Sequence, residues 1–336
     1  MPIYILAIES SCDETSAAVV EDGKIIRSNV IYSQIATHRA YGGVVPEIAS
    51  REHLEKISPV VEEAVAQSGL KLEQLSAIAV TAGPGLVGSL LVGLSYGKAM
   101  ALALGIPLIG VHHLLGHLYG SLLSHEEVEP PLVAVIASGG HSSLIQMKSH
   151  LCIEVMGETR DDAAGEVLDK VARSLGLPYP GGAALEALAQ KGNPHAIHFP
   201  RAWLGEDSFD FSFSGLKSSV LNYLNRSQMK EEPILLADVA ASFQEALFDV
   251  LVQKAVKACI CKGSHALLLA GGVAANEKLR QMLFAATQPE GIKMYAPAKI
   301  LCTDNGAMIA AAAHQMYLKG KFSGCDLNAT AYLPLK

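Results

Sequence analysis

His113 and His117 stand one helical turn apart in Val111-His112-His113-Leu114-Leu115-Gly116-His117, and far downstream comes Cys302-Thr303-Asp304-Asn305-Gly306. If the first segment is helical, both imidazoles project from one face and can share a metal ion, with the distant carboxylate completing the site. Two imidazoles and one carboxylate leave coordination positions open, which suits an ion that polarises a substrate. The competing reading is two polar side chains beside a core helix, each satisfied by a backbone carbonyl. The zincin pattern His-Glu-x-x-His is not met, because Leu114 follows His113 where the general base would stand.

A second group of residues suits anions. Ser138-Gly139-Gly140-His141 and Gly271-Gly272 sit at strand ends, where the missing Cβ lets backbone N–H groups approach a phosphate, and Asn276 can reach a ribose or base edge. Each is also readable as a plain tight turn. Neither is a Walker loop or a Gly-x-Gly-x-x-Gly fingerprint. Asp13 and Glu14 are either a solvated turn tip or a pair that deprotonates an attacking group. The charge-rich run from Gly157 to Lys170 reads as a solvated helix face or a ribose-binding edge, and Asp210 to Lys217 as an edge strand.

The elements that must carry these residues show a repeated plan. Ile3–Ile8 reads as a strand, Glu9–Ser16 as a polar turn and Ala17–Val20 as the returning strand; residues 131–147 repeat the scheme through Ser138–Ser143. Two such hairpins predict two similar lobes whose tips face one cleft. Between them, Ala77–Thr81, a Gly-Pro-Gly turn, a small-residue helix to Leu104 and Pro107–Val111 form a strand-turn-helix-strand unit of the parallel-sheet kind. An alanine-rich helix follows Asp304, which sits where a helix N-cap or first-turn carboxylate is favoured.

Composition sets the bounds. With 336 residues, 50% of them apolar, the chain is globular and long enough for two lobes, placed at 1–127 and 128–336, with a C-terminal helix at 305–320 that can pack back on the first. The apolar run from Ala99 to Val111 is broken by Gly105 and Pro107, so no membrane span is expected, and the N-terminus reads as a strand and not a signal peptide. Six scattered cysteines fit reduced thiols and a cytoplasmic location. A net charge of −7 argues against nucleic-acid binding by bulk charge, and Arg39, Arg51, Arg160, Arg173 and Arg201 form no visible stripe.

Glu9-Ser-Ser-Cys-Asp-Glu-Thr-Ser16, Tyr41-Gly-Gly-Val-Val-Pro-Glu47, Thr81-Ala-Gly-Pro-Gly-Leu86, His112-His-Leu-Leu-Gly-His117, Ser138-Gly-Gly-His141, Asp161-Asp-Ala-Ala-Gly-Glu166, Asp210-Phe-Ser-Phe-Ser-Gly-Leu-Lys217, Ala270-Gly-Gly-Val-Ala-Ala-Asn276 and Cys302-Thr-Asp-Asn-Gly-Ala-Met308 occur in that order. Together they resemble the tRNA N6-adenosine threonylcarbamoyltransferase family, earlier described as O-sialoglycoprotein endopeptidases. The resemblance implies an α/β protein of two ribonuclease-H-like lobes, of the actin, Hsp70 and sugar-kinase superfamily, around a central cleft. It implies transfer of threonylcarbamoyl from threonylcarbamoyl-AMP to N6 of adenosine 37 in tRNAs that read codons starting with A. By the family pattern His113, His117 and Asp304 hold one iron or zinc ion, and Asp13 and Glu14 lie near the transfer centre. Ile136, Ala137, Ser138, Gly139, Gly140, Asp169, Gly182, Glu186 and Asn276 line the adenylate site. The partners implied are tRNA and, in bacterial relatives, a degenerate paralogue and a small P-loop ATPase. A small-molecule kinase of the same superfamily, which would not need the two histidines, and a non-catalytic scaffold, which would have lost them, are the rival readings.

Overall fold

The computed structural model describes residues 1–125, 127–205 and 207–335. It divides into two compact units, Met1–Glu129 with Pro297–Lys336, and Pro130–Ala296. In the first, β1 (Tyr4–Glu9), β2 (Glu14–Glu21) and β3 (Ile25–Ser33) form an antiparallel meander. The short α1 (Ile35–Arg39) and the long α2 (Pro46–Ser68) follow, then β4 (Ala77–Gly83), α3 (Val87–Leu104), β5 (Leu108–His112) and α4 (His113–Leu122). β4 and β5 pair parallel to β1 and each other, giving the order β3-β2-β1-β4-β5.

The second unit runs β6 (Leu132–Ala137), β7 (Ser142–Ser149), β8 (Cys152–Glu158), α5 (Ala164–Ser174), α6 (Gly181–Ala189), α7 (Ser214–Met229), α8 (Leu236–Lys262), β9 (Ala266–Ala270), α9 (Glu277–Thr287) and β10 (Lys293–Tyr295). Its sheet order is β10-β9-β6-β7-β8, with β9 and β10 parallel and β7 and β8 antiparallel. The two mixed sheets therefore share one topology, the architectural repeat that the sequence pattern predicts. The last helix, α10 (Gly306–Leu318), belongs to the first unit and packs on α4, β1 and β2.

Strand composition follows exposure. β1, β4 and β6, each covered on both faces, are near-continuous apolar runs. Leu6, Ile8, Val19, Ile78, Val80 and Leu94 share one core under α2 and α3. Among the described residues α3 alone is long and apolar enough, by length and composition, to cross a bilayer. It lies against α2 and β4, with Gly93 facing Ser10 and Gly97 facing Val80.

Two local expectations are corrected. The first turn is shorter than its polarity suggests, since Glu14, Thr15 and Ser16 already pair with β3. Residues 210–217 are not an edge strand: Phe211 makes one bridge to Thr159, and α7 starts at Ser214. The cause is Asp161, whose carboxylate accepts from the hydroxyls of Ser212 (2.5 Å) and Ser214 (2.7 Å) and from the amide of Phe213 (2.8 Å), closing the helix entrance.

Candidate metal centre and anion-binding turns

In the first unit β5 delivers the chain to α4, and His112 caps the helix: its Nδ1 accepts from the amide of Leu114 at 3.2 Å, and its Nε2 donates to the Leu333 carbonyl at 3.0 Å. With both nitrogens so used the ring is the neutral Nε2–H tautomer. Burial holds its pKa down at about 4, against the Leu333 contact, which acts to raise it.

One residue later His113, and a turn on His117, point to the same side, with ring centroids 4.7 Å apart and planes at 75°. α10 brings the third group. Asn305, not Asp304, is its N-cap, accepting from the Met308 amide at 3.0 Å, so the expected capping role passes to the neighbour and Asp304 faces the histidines. Asp304 Oδ1 lies 3.6 Å from His113 Nε2 and 3.2 Å from His117 Nε2. This placement needs α10 very close to the sheet. Gly306 provides it: a Cβ there would sit 2.6 Å from the Ala18 nitrogen.

The three ligand-type atoms lie within 4.8 Å of one another. Both ring nitrogens of His117 are buried without a hydrogen-bond partner, even though Asp304 Oδ1 is 3.2 Å from Nε2. That approach lacks hydrogen-bond alignment; it is how two ligands converge on a third atom. A buried imidazole with no partner is costly unless an ion takes its lone pair. The donor set fits a divalent ion of the borderline kind.

Around the triad the polar residues interlock. Burial pulls the His113 pKa down, but Asp304 and Glu9 more than offset it and bring the metal-free ring to about 9. The Cys12-Asp13-Glu14 segment is held by α2, where buried His53 receives the Thr15 hydroxyl at Nδ1 (2.7 Å) and donates from Nε2 to the Cys12 carbonyl (2.9 Å). Burial keeps His53 neutral, lowering its pKa. Asp13 is buried and Glu14 half-buried. Burial first, then the charges of Asp13 and Asp304, push the Glu14 pKa well above the ordinary carboxylate range. Cys12 is raised by the same causes, so it is no ready thiolate.

In the second unit, residues 136–140 and 271–276 lie at and beyond the carboxyl ends of β6 and β9, and Asp169, Gly182 and Glu186 lie on α5 and α6. Ile136 and Ala137 are the buried end of β6; Ser138 and the open Gly139 and Gly140 form the turn beyond. The amide of Gly165, at the start of α5, donates to the Ser138 carbonyl at 3.1 Å. Gly271, at φ +90°, lies against the Ala137 carbonyl, where no side chain fits. Asp169 of α5 accepts from the Gly182 amide (2.9 Å), and Glu186 of α6 from the Glu277 amide (2.7 Å) at the start of α9. Asn276 does not project a free amide oxygen: Oδ1 caps α9 through the Leu279 amide and also accepts from Gln244, both at 3.1 Å. A cavity of about 230 Å³ opens among Glu186, Gln190, Gln244, Glu277 and Gln281. The charge-rich stretch is internal mortar: besides Asp161, Asp162 pairs with Lys170 at 2.9 Å and with Lys217.

Sequence reasoning missed Glu9, Thr81, His53 and Asn305 as members of the site. The one signal was a carboxylate closing an otherwise apolar strand, at Glu9.

Two mixed sheets of identical order, each with its polar turns at the carboxyl ends of the central strands, make up the fold expected for the actin, Hsp70 and sugar-kinase superfamily. Solved structures carry the same fold: HypF of T. kodakarensis (TM-score 0.65, 18% identity, 97% of this chain and 50% of that one) and component A of the Acidaminococcus fermentans (R)-2-hydroxyglutaryl-CoA dehydratase (0.54, 16%, 94% and 99%). Within that class, the family model of tRNA N6-adenosine threonylcarbamoyltransferase matches residues 25–311. A protein of that name from Moorella thermoacetica is 56% identical over 331 residues, 98% of this chain and 97% of the relative. The chain belongs to the tRNA N6-adenosine threonylcarbamoyltransferase family, and the kinase alternative is not favoured.

Proposed function

We propose that this chain forms threonylcarbamoyladenosine at position 37 of tRNAs reading codons that start with A, taking the acyl group from threonylcarbamoyl-AMP. The observation that carries the reading is His117, buried without a hydrogen-bond partner, converging with His113 on Asp304 in a chain of this family. His113, His117 and Asp304 would hold one Fe²⁺ or Zn²⁺; when bound, such an ion supplies Lewis-acid polarisation of the donor's oxygens. The turns at Ser138–Gly140 and Gly271–Gly272 offer amide donors to the departing phosphate, with Asp169, Gly182, Glu186 and Asn276 around the adenylate.

In the transfer, the N6 nitrogen attacks the carbamoyl carbon, the carbon–oxygen bond to phosphate breaks, and AMP leaves with that electron pair. The N6 lone pair is delocalised into adenine, so the amine must be aimed and relieved of its proton as it attacks. Asp13 is the proposed acceptor of that proton. Glu14, whose pKa burial and the neighbouring carboxylates raise well above the ordinary carboxylate range, is its partner. We place the chain in the cytoplasm, working with tRNA, a degenerate paralogue and a small P-loop ATPase.

The test is modification of an A-starting-codon tRNA transcript with ATP, threonine, bicarbonate, the threonylcarbamoyl-AMP synthase and the accessory proteins. Wild type is expected to form the modified nucleoside and His113→Ala to lose it. ATP-dependent phosphorylation of a small molecule without the nucleoside would overturn the reading. Full activity of Asp13→Asn with normal adenylate binding would remove Asp13 from its role.

A further inference from the structure

Glu9 closes β1, and its side chain has no exposed surface. A buried carboxylate is costly unless donors surround it. Three do. The Ser11 amide donates to Oε1 at 2.5 Å, the Thr81 hydroxyl to Oε2 at 2.6 Å, and His113 Nδ1 lies 3.3 Å from the same Oε2. The first two fasten Glu9 to its own turn and to the neighbouring strand β4, so the carboxylate is rigid before the imidazole meets it.

We propose that Glu9 is the positioning residue of the metal centre, holding the hydrogen on Nδ1 of His113 so that Nε2, turned toward Asp304 and His117, is the nitrogen an ion would take. This rests on the metal reading above. An ionised carboxylate only accepts, so the opposite tautomer would set the Nδ1 lone pair against the Oε2 lone pairs. Ser11 Oγ, 3.2 Å from the same nitrogen, can either donate or accept and adapts to the carboxylate's choice. The two ligand histidines are thereby unlike. His113 has a fixed tautomer and a charged backer that raises its basicity, whereas His117 Nδ1 is buried with no hydrogen-bond partner. His113 is the pre-set ligand, and His117 is ordered by whatever its Nε2 binds.

The experiment measures zinc affinity by chelator competition on the full chain, wild type against Glu9→Gln, with circular dichroism melts of both metal-free proteins. Glutamine keeps the shape but offers one acceptor oxygen and an NH₂ where three donors converge, and it removes the charge. The expected result is a folded variant whose zinc binding is about 10 to 100-fold weaker, the usual penalty for losing an outer partner of a ligand histidine. A folded variant that binds within twofold of wild type overturns the proposal and leaves the metal reading intact. Wild type that binds no zinc overturns both. Should the variant not fold, ¹⁵N-histidine spectra of zinc-loaded wild type decide, with the His113 signals assigned by their loss in His113→Gln. Zinc on Nε2 with hydrogen on Nδ1 supports the proposal, and zinc on Nδ1 overturns it.

Discussion

At the residue scale the metal centre is an arrangement of unlike burdens. Asp304 is the one carboxylate of the triad, and the structure gives it to the histidines by letting Asn305 take the helix cap. Asp304→Ala should therefore leave a folded protein whose metal content, measured by mass spectrometry after dialysis, falls far below one equivalent; undiminished occupancy would show that the two imidazoles suffice. Glu14 shows the opposite tension between chemistry and stability. Its folded pKa is raised, so as pH climbs above the ordinary glutamate value of about 4.3 the unfolded chain gives up this proton first, and the folded state loses stability. Glu14→Gln removes that loss. The chelator-treated variant should melt higher than wild type at pH 7 and converge with it near pH 4, while its transfer activity falls; a lower melting point at pH 7 would refute the argument. The grouping of His113, His117 and Asp304 was legible in the sequence because their types and spacing suit one shared ion. Glu9 and His53 were not, because their importance lies in contacts 104 and 41 positions away along the chain.

At the element scale, helix entrances decide where the side chains point. α4 begins with a histidine as its cap, a choice that works only for the neutral ring, since protonating Nδ1 would cancel its acceptor for the Leu114 amide. The folded pKa of about 4 lies below the unfolded value near 6.5, so His112 contributes fully above about pH 6.5, and its contribution is lost as pH falls toward 4. The loss reaches up to about 3 kcal/mol at about 1.4 kcal/mol per unit. His112→Asn can keep the cap but does not titrate. Between pH 7 and pH 4.5 its melting temperature should fall less than that of wild type, and parallel declines would sink the idea. α10 depends on its cap in a simpler way. Asn305 is fully buried and bonds both the Met308 amide and the Thr303 carbonyl, so Asn305→Ala should cost about 1 to 2 kcal/mol in denaturant unfolding and weaken zinc binding through the displaced Asp304. The apolar runs and turn residues of β1, β2, β6 and β7 announced these elements plainly. The start of α7 was hidden because Ser212 and Ser214 look like strand residues until Asp161 is seen to bind them from 51 and 53 positions away.

At the scale of the whole molecule, one topology is used twice with different fittings. The first unit mounts titratable ligands on helices that enter at the strand ends, and the second mounts bare glycine turns and amide donors at the matching ends. The duplication was visible as two hairpins of like pattern; the return of α10 to the first unit is a long-range packing choice that the local pattern only permits. Each unit has its own sheet and core, so each proposed ligand has a separate protein surface to stabilise. Ligand binding stabilises the state that binds by an amount set by its saturation, about 4 kcal/mol at a thousandfold excess over Kd. Hydrogen exchange should divide accordingly. Zinc added to the chelator-treated chain should slow amide exchange in α4 and at the start of α10, where the ligands sit on backbone that opens locally without the ion. AMP should slow exchange at residues 136–140, 165–182 and 271–277 instead. Zinc protection confined to the glycine turns, or AMP protection confined to α4, would show that the charged ligand and the anion have been assigned to the wrong units.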